Sequence, residues 1–205
     1  MMQKYIGIVD HGGANIASVA YALQRLGVSY GICTHPKQLD DCSHLILPGV
    51  SSAAHSMAQL QRYDLVQSLK EFDRPILGIC MGMQLLFDQS EEGGDVRMLG
   101  LIEGNITKFK QTDPKMRIPH MGWNAVQIVQ DCVLFKNIPD ASFFYYVHSY
   151  HCKGHHTQAV GVTEYGGNIF TAMIQQDNLY GCQFHPEKSG QYGAMLIQNF
   201  TELSL

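Results

Sequence analysis

Charge is scarce in this sequence: Asp, Glu, Lys and Arg make up 16% of the 205 residues, and the net charge is −4. The 14 basic residues are scattered, and the nearest approaches to a cluster (Lys108 with Lys110, Lys115 with Arg117) are interrupted by Gln, Asp and Pro. Proteins that neutralise phosphates gather such residues, so no nucleic-acid partner is expected. Long apolar runs are missing too. None approaches the roughly 20 residues of a spanning helix, and no membrane association is expected. The first residues run straight into a strand-like stretch, without the apolar core or small-residue cleavage site of an export signal. The six cysteines contain no Cys-x-x-Cys pair and lie far apart, unlike a secreted disulfide framework. The cytoplasm, with reduced thiols, is the expected compartment. Phosphate-cradling glycine motifs are lacking as well, which leaves Gly12-Gly13 as a turn. With no repeat, linker or low-complexity tract, and 45% hydrophobic residues, one domain over 1–205 with one sizeable core is expected.

What is present divides into two halves. In the first, apolar strands at 5–9, 28–33, 44–47 and 75–79 alternate with helical signals. Asn15 is placed to cap a helix in which Ile16, Val19, Ala20, Leu23 and Leu26 recur at helical spacing until Gly27. Further helices are expected at 53–60, 65–72 and 81–87. The second half reads as strands at 101–109, 125–129, 143–150, 158–165, 169–174 and 179–184, then a last helix burying Ala194, Leu196, Ile197 and Phe200. The expected fold is α/β: a mostly parallel central sheet with helices on both faces and an antiparallel, strand-rich second half.

The sharpest chemical signal is Gly78-Ile79-Cys80-Met81-Gly82, where a buried strand gives way to a helix. Glycines two residues to either side let the backbone crowd into a tight elbow that projects the thiol beyond the sheet edge. The unpaired N–H groups of the following helix favour a thiolate and, later, an oxyanion. Such a nucleophile needs a base, and the base needs a group to fix its tautomer. His185-Pro186-Glu187, at the end of another apolar run, supplies both.

These segments resemble the class I, triad-type glutamine amidotransferases, with Gln84 completing the first motif and Gln183-Phe184 preceding the second. Pro119-His120-Met121-Gly122-Trp123-Asn124, Val147-His148-Ser149-Tyr150 and His185-Pro186-Glu187-Lys188-Ser189-Gly190 narrow the likeness to the glutaminase subunits of imidazole glycerol phosphate synthases. The resemblance spans essentially the whole chain, from Asp10-His11-Gly12-Gly13-Ala14-Asn15 to the last helix. It implies that Cys80 attacks the side-chain amide of glutamine, that His185, oriented by Glu187, protonates the departing ammonia, and that water hydrolyses the γ-glutamyl thioester. Gln84 and the backbone of His148, Ser149 and Tyr150 would hold the glutamine. The Met81 N–H and the Gly49-Val50-Ser51 loop would face the oxyanion. No cofactor or metal is implied. The cluster of His148, His151, Cys152, His155 and His156 fits no zinc spacing.

One position departs from the family. Its loop reads Pro-Gly-Val-Gly, where this chain has Pro48-Gly49-Val50-Ser51, and glycine tolerates turned dihedrals that serine resists. The alternative is ordinary helix capping, at Ser51 or Ser52.

Ammonia is mostly protonated at neutral pH, so such an enzyme needs its acceptor docked over the site. No room remains in the sequence for a synthase domain. A separate cyclase (synthase) subunit is therefore the expected heterodimer partner, making imidazole glycerol phosphate in histidine biosynthesis. Relatives that supply surface-sugar amidotransferases are the alternative. The expected contact is a loop at 119–124, with Pro119, His120, Met121, Trp123 and Asn124, in which Trp123 is either an interface anchor or a core residue. Asn15 and Ser18 match family positions that face the synthase, with capping as the other reading for Asn15.

Overall fold

The computed structural model describes residues 4–12, 15–112, 114, 116–152 and 157–204. Gly13 of the expected turn, and His155 and His156 of the histidine cluster, lie outside the described residues.

The first half alternates as its periodicity requires: β1 (Ile6–Val9), α1 (Ile16–Arg25), β2 (Tyr30–Cys33), α2 (Pro36–Asp40), β3 (His44–Leu47), α3 (Ala53–Arg62), α4 (Leu65–Lys70), β4 (Ile76–Ile79) and α5 (Met81–Leu85). The second half holds β5 (Phe87–Ser90), β6 (Val96–Arg97), β7 (Ile102–Lys108), β8 (His120–Ile128), β9 (Ser142–His148), β10 (Tyr150–Cys152), β11 (Ala159–Tyr165), β12 (Asn168–Gln176), β13 (Leu179–Cys182) and α6 (Gly190–Thr201). A nine-stranded sheet runs β2-β1-β3-β4-β13-β12-β11-β8-β9. Pairing is parallel from β2 through β13 and antiparallel from β13 through β9. β13 is thus the seam, and it sets the end of the antiparallel half beside the strand that carries the cysteine.

Alternation of side chains across the pleat explains why the parallel strands are apolar throughout. Ile6, Ile8, Ile46, Leu77 and Ile79 pack on one face with Val19 and Leu23 of α1 and Leu196, Ile197 and Phe200 of α6. Leu45, Leu47 and Ile76 pack on the other with Leu60 of α3, Leu65 and Leu69 of α4 and Met83 of α5. Each such side chain, when fully buried, stabilises the fold by roughly 1.5–3 kcal/mol.

Three expectations are corrected. The apolar run 81–87 is not one helix: α5 stops at Leu85, and Phe87 begins β5 in a second sheet of order β10-β7-β5-β6. The run 143–150 is not one strand, because the chain leaves the large sheet after His148 and joins the small one at Tyr150, pairing there with Lys108. Finally, 119–124 is not a loop. His120 to Asn124 pair with His148 to Phe144, so β8 begins five residues before the expected strand. Gly122, with φ 126°, is accommodated within the ladder. Among the described residues no helix is long and apolar enough to cross a membrane.

Candidate active site

Cys80 stands between β4 and α5 with φ 51° and ψ −104°. A non-glycine residue held there carries about 1–3 kcal/mol of strain, and only dense surroundings keep it so. The glycines around it provide that density through close approach. A Cβ at Gly82 would sit 1.9 Å from the Leu47 carbonyl oxygen, and one at Gly49 would sit 1.9 Å from that of Ile79. The Cys80 N–H donates to the Cys182 carbonyl at 2.7 Å, tying the elbow to β13.

His185 lies three residues beyond the end of β13, so the parallel pairing of β4 with β13 delivers it beside Cys80. Its backbone N–H donates to the Tyr145 carbonyl at 2.8 Å, and its own carbonyl accepts from Ser189 Oγ at 2.6 Å. The ring is fully buried, and Nδ1 lies 2.7 Å from Glu187 Oε1. Burial alone would push the imidazole pKa down. The facing Cys80 and Glu187 outweigh it and raise the value to about 10. The raised value favours the imidazolium, with Nδ1 held on Glu187. Its Nε2 makes no hydrogen bond of normal geometry, and Cys80 is the largest influence that raises the ring's pKa.

A cavity of about 270 Å³ opens in front of the thiol. Gly49, Val50, Ser51, Met81, Gln84, His148, Ser149 and Tyr150, the whole set expected around the substrate, line it together with Cys80. Gln84 Nε2 donates to the Tyr150 carbonyl and to Gln183 Oε1, both at 2.9 Å, and Gln183 Nε2 lies 3.6 Å from Cys80 Sγ. Gln84 Oε1 is buried without a partner. Ser52, not Ser51, caps α3, accepting from the His55 N–H at 3.4 Å. No residue from Gly49 to Ser51 has a positive φ.

Glu92 is a lining residue that the motifs did not reveal. Its Oε2 accepts from the Ala53 N–H at 2.7 Å, which fixes a carboxylate at the cavity wall. Its only sequence signal was an acidic residue a few positions beyond the elbow helix, a weak one.

The residues expected to face a partner divide. Met121 and Trp123 are 62% and 55% exposed, so Trp123 is not core. Pro119 lines the cavity and Ser18 is half-buried. His120 and Asn15 correct the expectation, because both are buried. The pleat turns His120 inward, where Nδ1 lies 3.0 Å from His148 Nε2. Asn124, also turned inward, lies 3.3 Å from His120 Nε2. The Asn15 side chain makes no capping bond to α1 and donates instead to Glu187 Oε1. Among the described residues no group of His, Cys, Asp and Glu is placed to hold a metal ion.

The nucleophile elbow, the buried His–Glu pair and the mixed sheet define a triad hydrolase scaffold. The chain belongs to the class-I glutamine amidotransferase family, which residues 7–203 match. It is 43% identical over 201 residues to imidazole glycerol phosphate synthase subunit HisH of Methanocaldococcus jannaschii, a match covering 97% of this chain and 99% of that one. HisH of Xylella fastidiosa (strain Temecula1) is 43% identical over 198 residues, covering 97% of each. Solved structures share the fold at much lower identity. PurLQS from Thermotoga maritima superposes with a TM-score of 0.74 at 19% identity, covering 97% of this chain and 98% of that one. A solved glutamine amidotransferase gives 0.73 at 15%, covering 96% and 97%.

Proposed function

We propose that this chain hydrolyses glutamine to glutamate and ammonia, and that a separate cyclase subunit receives the ammonia to make imidazole glycerol phosphate in histidine biosynthesis. The observation that carries the chemistry is His185, buried beside Cys80 with its Nδ1 held 2.7 Å from Glu187. A thiolate beside an imidazolium is a nucleophile beside its proton donor.

In this reading Cys80 Sγ bonds to the amide carbon of glutamine, and the carbonyl electrons move onto oxygen. The Met81 N–H faces that oxyanion, and a peptide of the 49–51 loop would turn its N–H toward it. The C–N bond breaks as His185 Nε2 gives its proton to the leaving nitrogen, releasing ammonia and leaving the thioester. The now neutral imidazole takes a proton from water, which attacks the thioester and frees glutamate. Glu187 keeps Nδ1 protonated throughout, so Nε2 always faces the reaction. The Tyr150 carbonyl side of the cavity and Gln84 orient the substrate, while the Glu92 carboxylate suits its α-ammonium. Met121 and Trp123, exposed on β8, support a docking role for that face.

The test is ammonia release from glutamine by the chain alone and with a co-expressed cyclase subunit carrying its histidine-pathway ligand. Turnover stimulated by that subunit and abolished in Cys80→Ser is expected. Stimulation only by a surface-sugar amidotransferase would reassign the acceptor, and no glutamine turnover with either would sink the reading.

A further inference from the structure

Strand β8 carries two faces of different character. Met121 and Trp123 point outward, while His120 and Asn124 point into the molecule. The inward residues begin a chain of hydrogen bonds whose directions are forced. Tyr150's carbonyl can only accept, so His148 Nδ1, 2.8 Å away, carries a proton. Burial pushes the His148 pKa well below its ordinary value, leaving a neutral ring whose Nε2 must accept. His120 Nδ1, 3.0 Å from that nitrogen, is therefore the donor. Burial lowers His120 to about 4, so its ring is neutral too and its Nε2 accepts from Asn124 Nδ2 at 3.3 Å. Asn124 Nδ2 also donates to the Glu164 carbonyl at 2.9 Å, which fixes the far end. At the near end the Tyr150 carbonyl also accepts from Gln84, and Gln84 leads through Gln183 to Cys80 Sγ. Ring stacking on Tyr165 (centroids 4.0 Å apart) and Tyr146 (4.7 Å) holds the plane of the His120 ring.

We propose that His120 is a positioning residue for glutamine hydrolysis, which through His148 holds the Tyr150 carbonyl and Gln84 in register and so ties the outward face of β8 to the substrate cavity. The proposal rests on the glutaminase reading. It assigns His120 to the back of the active site, not to the docking surface its neighbours form. A displacement of β8 by a bound partner would move His120 with it, and the cavity wall would follow.

Two variants separate positioning from packing. His120→Asn keeps a donor near the Nδ1 position and gives up the ring. His120→Phe keeps the ring stack and gives up the donor. Steady-state ammonia release by the complex with the cyclase subunit should show His120→Asn within about threefold of wild type in KM, and His120→Phe raised about tenfold with a smaller change in kcat, the scale of one buried neutral hydrogen bond. Equal impairment in both variants, or none in His120→Phe, overturns the positioning role. Nitrogen-15 spectra of the unmutated protein give a second check that needs no variant. Both rings should carry their single proton on Nδ1, and an Nε2–H tautomer at either overturns the proposal. Wild-type protein that releases no ammonia from glutamine would instead remove the glutaminase reading, and the proposal with it, whatever the spectra show.

Discussion

The side-chain amide of Asn15 donates a hydrogen bond to Glu187, 172 positions further along the chain. Glu187 Oε1 also accepts from His185 Nδ1, so one carboxylate oxygen is held from two directions. Glu187 Oε2 is buried without a partner. Removing the amide frees the carboxylate to rotate and weakens its hold on the imidazole. Asn15→Ala is expected to lower kcat for glutamine about 10- to 100-fold with little change in KM, because the lost contact acts on the reacting groups and not on bound substrate. Steady-state ammonia release measures this. Unchanged kcat would mean that the His185 contact alone orients Glu187.

The raised pKa of His185 predicts where activity ends on the alkaline side. The thiolate–imidazolium pair exists only while the ring is protonated, so kcat/KM should fall as pH rises through about 10. Glu187→Gln removes one of the influences that raise the ring, and should move that limb to lower pH. Stability follows the same group. The folded value lies above the ordinary 6.5, so the pair's contribution is fully present below pH 6.5 and is lost as pH rises through about 10. A pH–rate profile of both proteins tests the assignment, and coincident alkaline limbs would refute it.

Much of the fold was legible in the sequence because the parallel strands are short apolar runs closed by Gly, Pro or a helix cap. The elbow was legible because Gly78 and Gly82 bracket Cys80, and His185-Pro186-Glu187 announces its own pair. Less was visible where a residue's face depends on register. His120 and Trp123 lie three apart in one motif, yet the pleat sends one to the core and the other to solvent. Pro119 and Gly122 read as loop formers, and only the pairing with β9 shows that they flank and interrupt a strand. The polar stretch Asp88-Gln89-Ser90 hid β5, whose stability comes from its partners β6 and β7 and not from its own pattern. Asn15 carried the signal of a helix cap, and its tertiary contact with Glu187 overrides that preference.

Glu92 places a carboxylate at the cavity wall. One oxygen is engaged by the Ala53 N–H, so the carboxylate is aimed without a substrate present. Glutamine's α-ammonium needs such a partner, and a charge-assisted hydrogen bond is worth more than a neutral one. Glu92→Gln keeps the size and an acceptor for the Ala53 N–H but removes the charge. It should raise KM for glutamine about 10- to 100-fold and leave kcat nearly unchanged. If KM is unaffected, the ammonium is bound elsewhere in the cavity.

The loop from Pro48 to Ser51 is held by a residue outside it. His11, fully buried, lies with Nε2 2.5 Å from the Pro48 carbonyl and Nδ1 3.0 Å from Ser56 Oγ. Since the carbonyl only accepts, Nε2 donates. Burial, the larger influence, lowers the ring's pKa, so it is neutral and Nδ1 accepts from Ser56. This clamp fixes the start of the loop, and Ser51 is expected to stiffen its end, because a peptide turned toward the oxyanion needs dihedrals that serine resists. In the structure no residue from 49 to 51 has taken a positive φ. Ser51→Gly is expected to raise turnover by the chain without its partner, by up to about a hundredfold, the scale of one oxyanion donor. The same substitution should reduce the ratio of stimulated to unstimulated rates, since less is left for docking to supply. Turnover of the isolated chain is the deciding measurement, and a rate unmoved by the glycine would show that Ser51 does not limit the oxyanion loop.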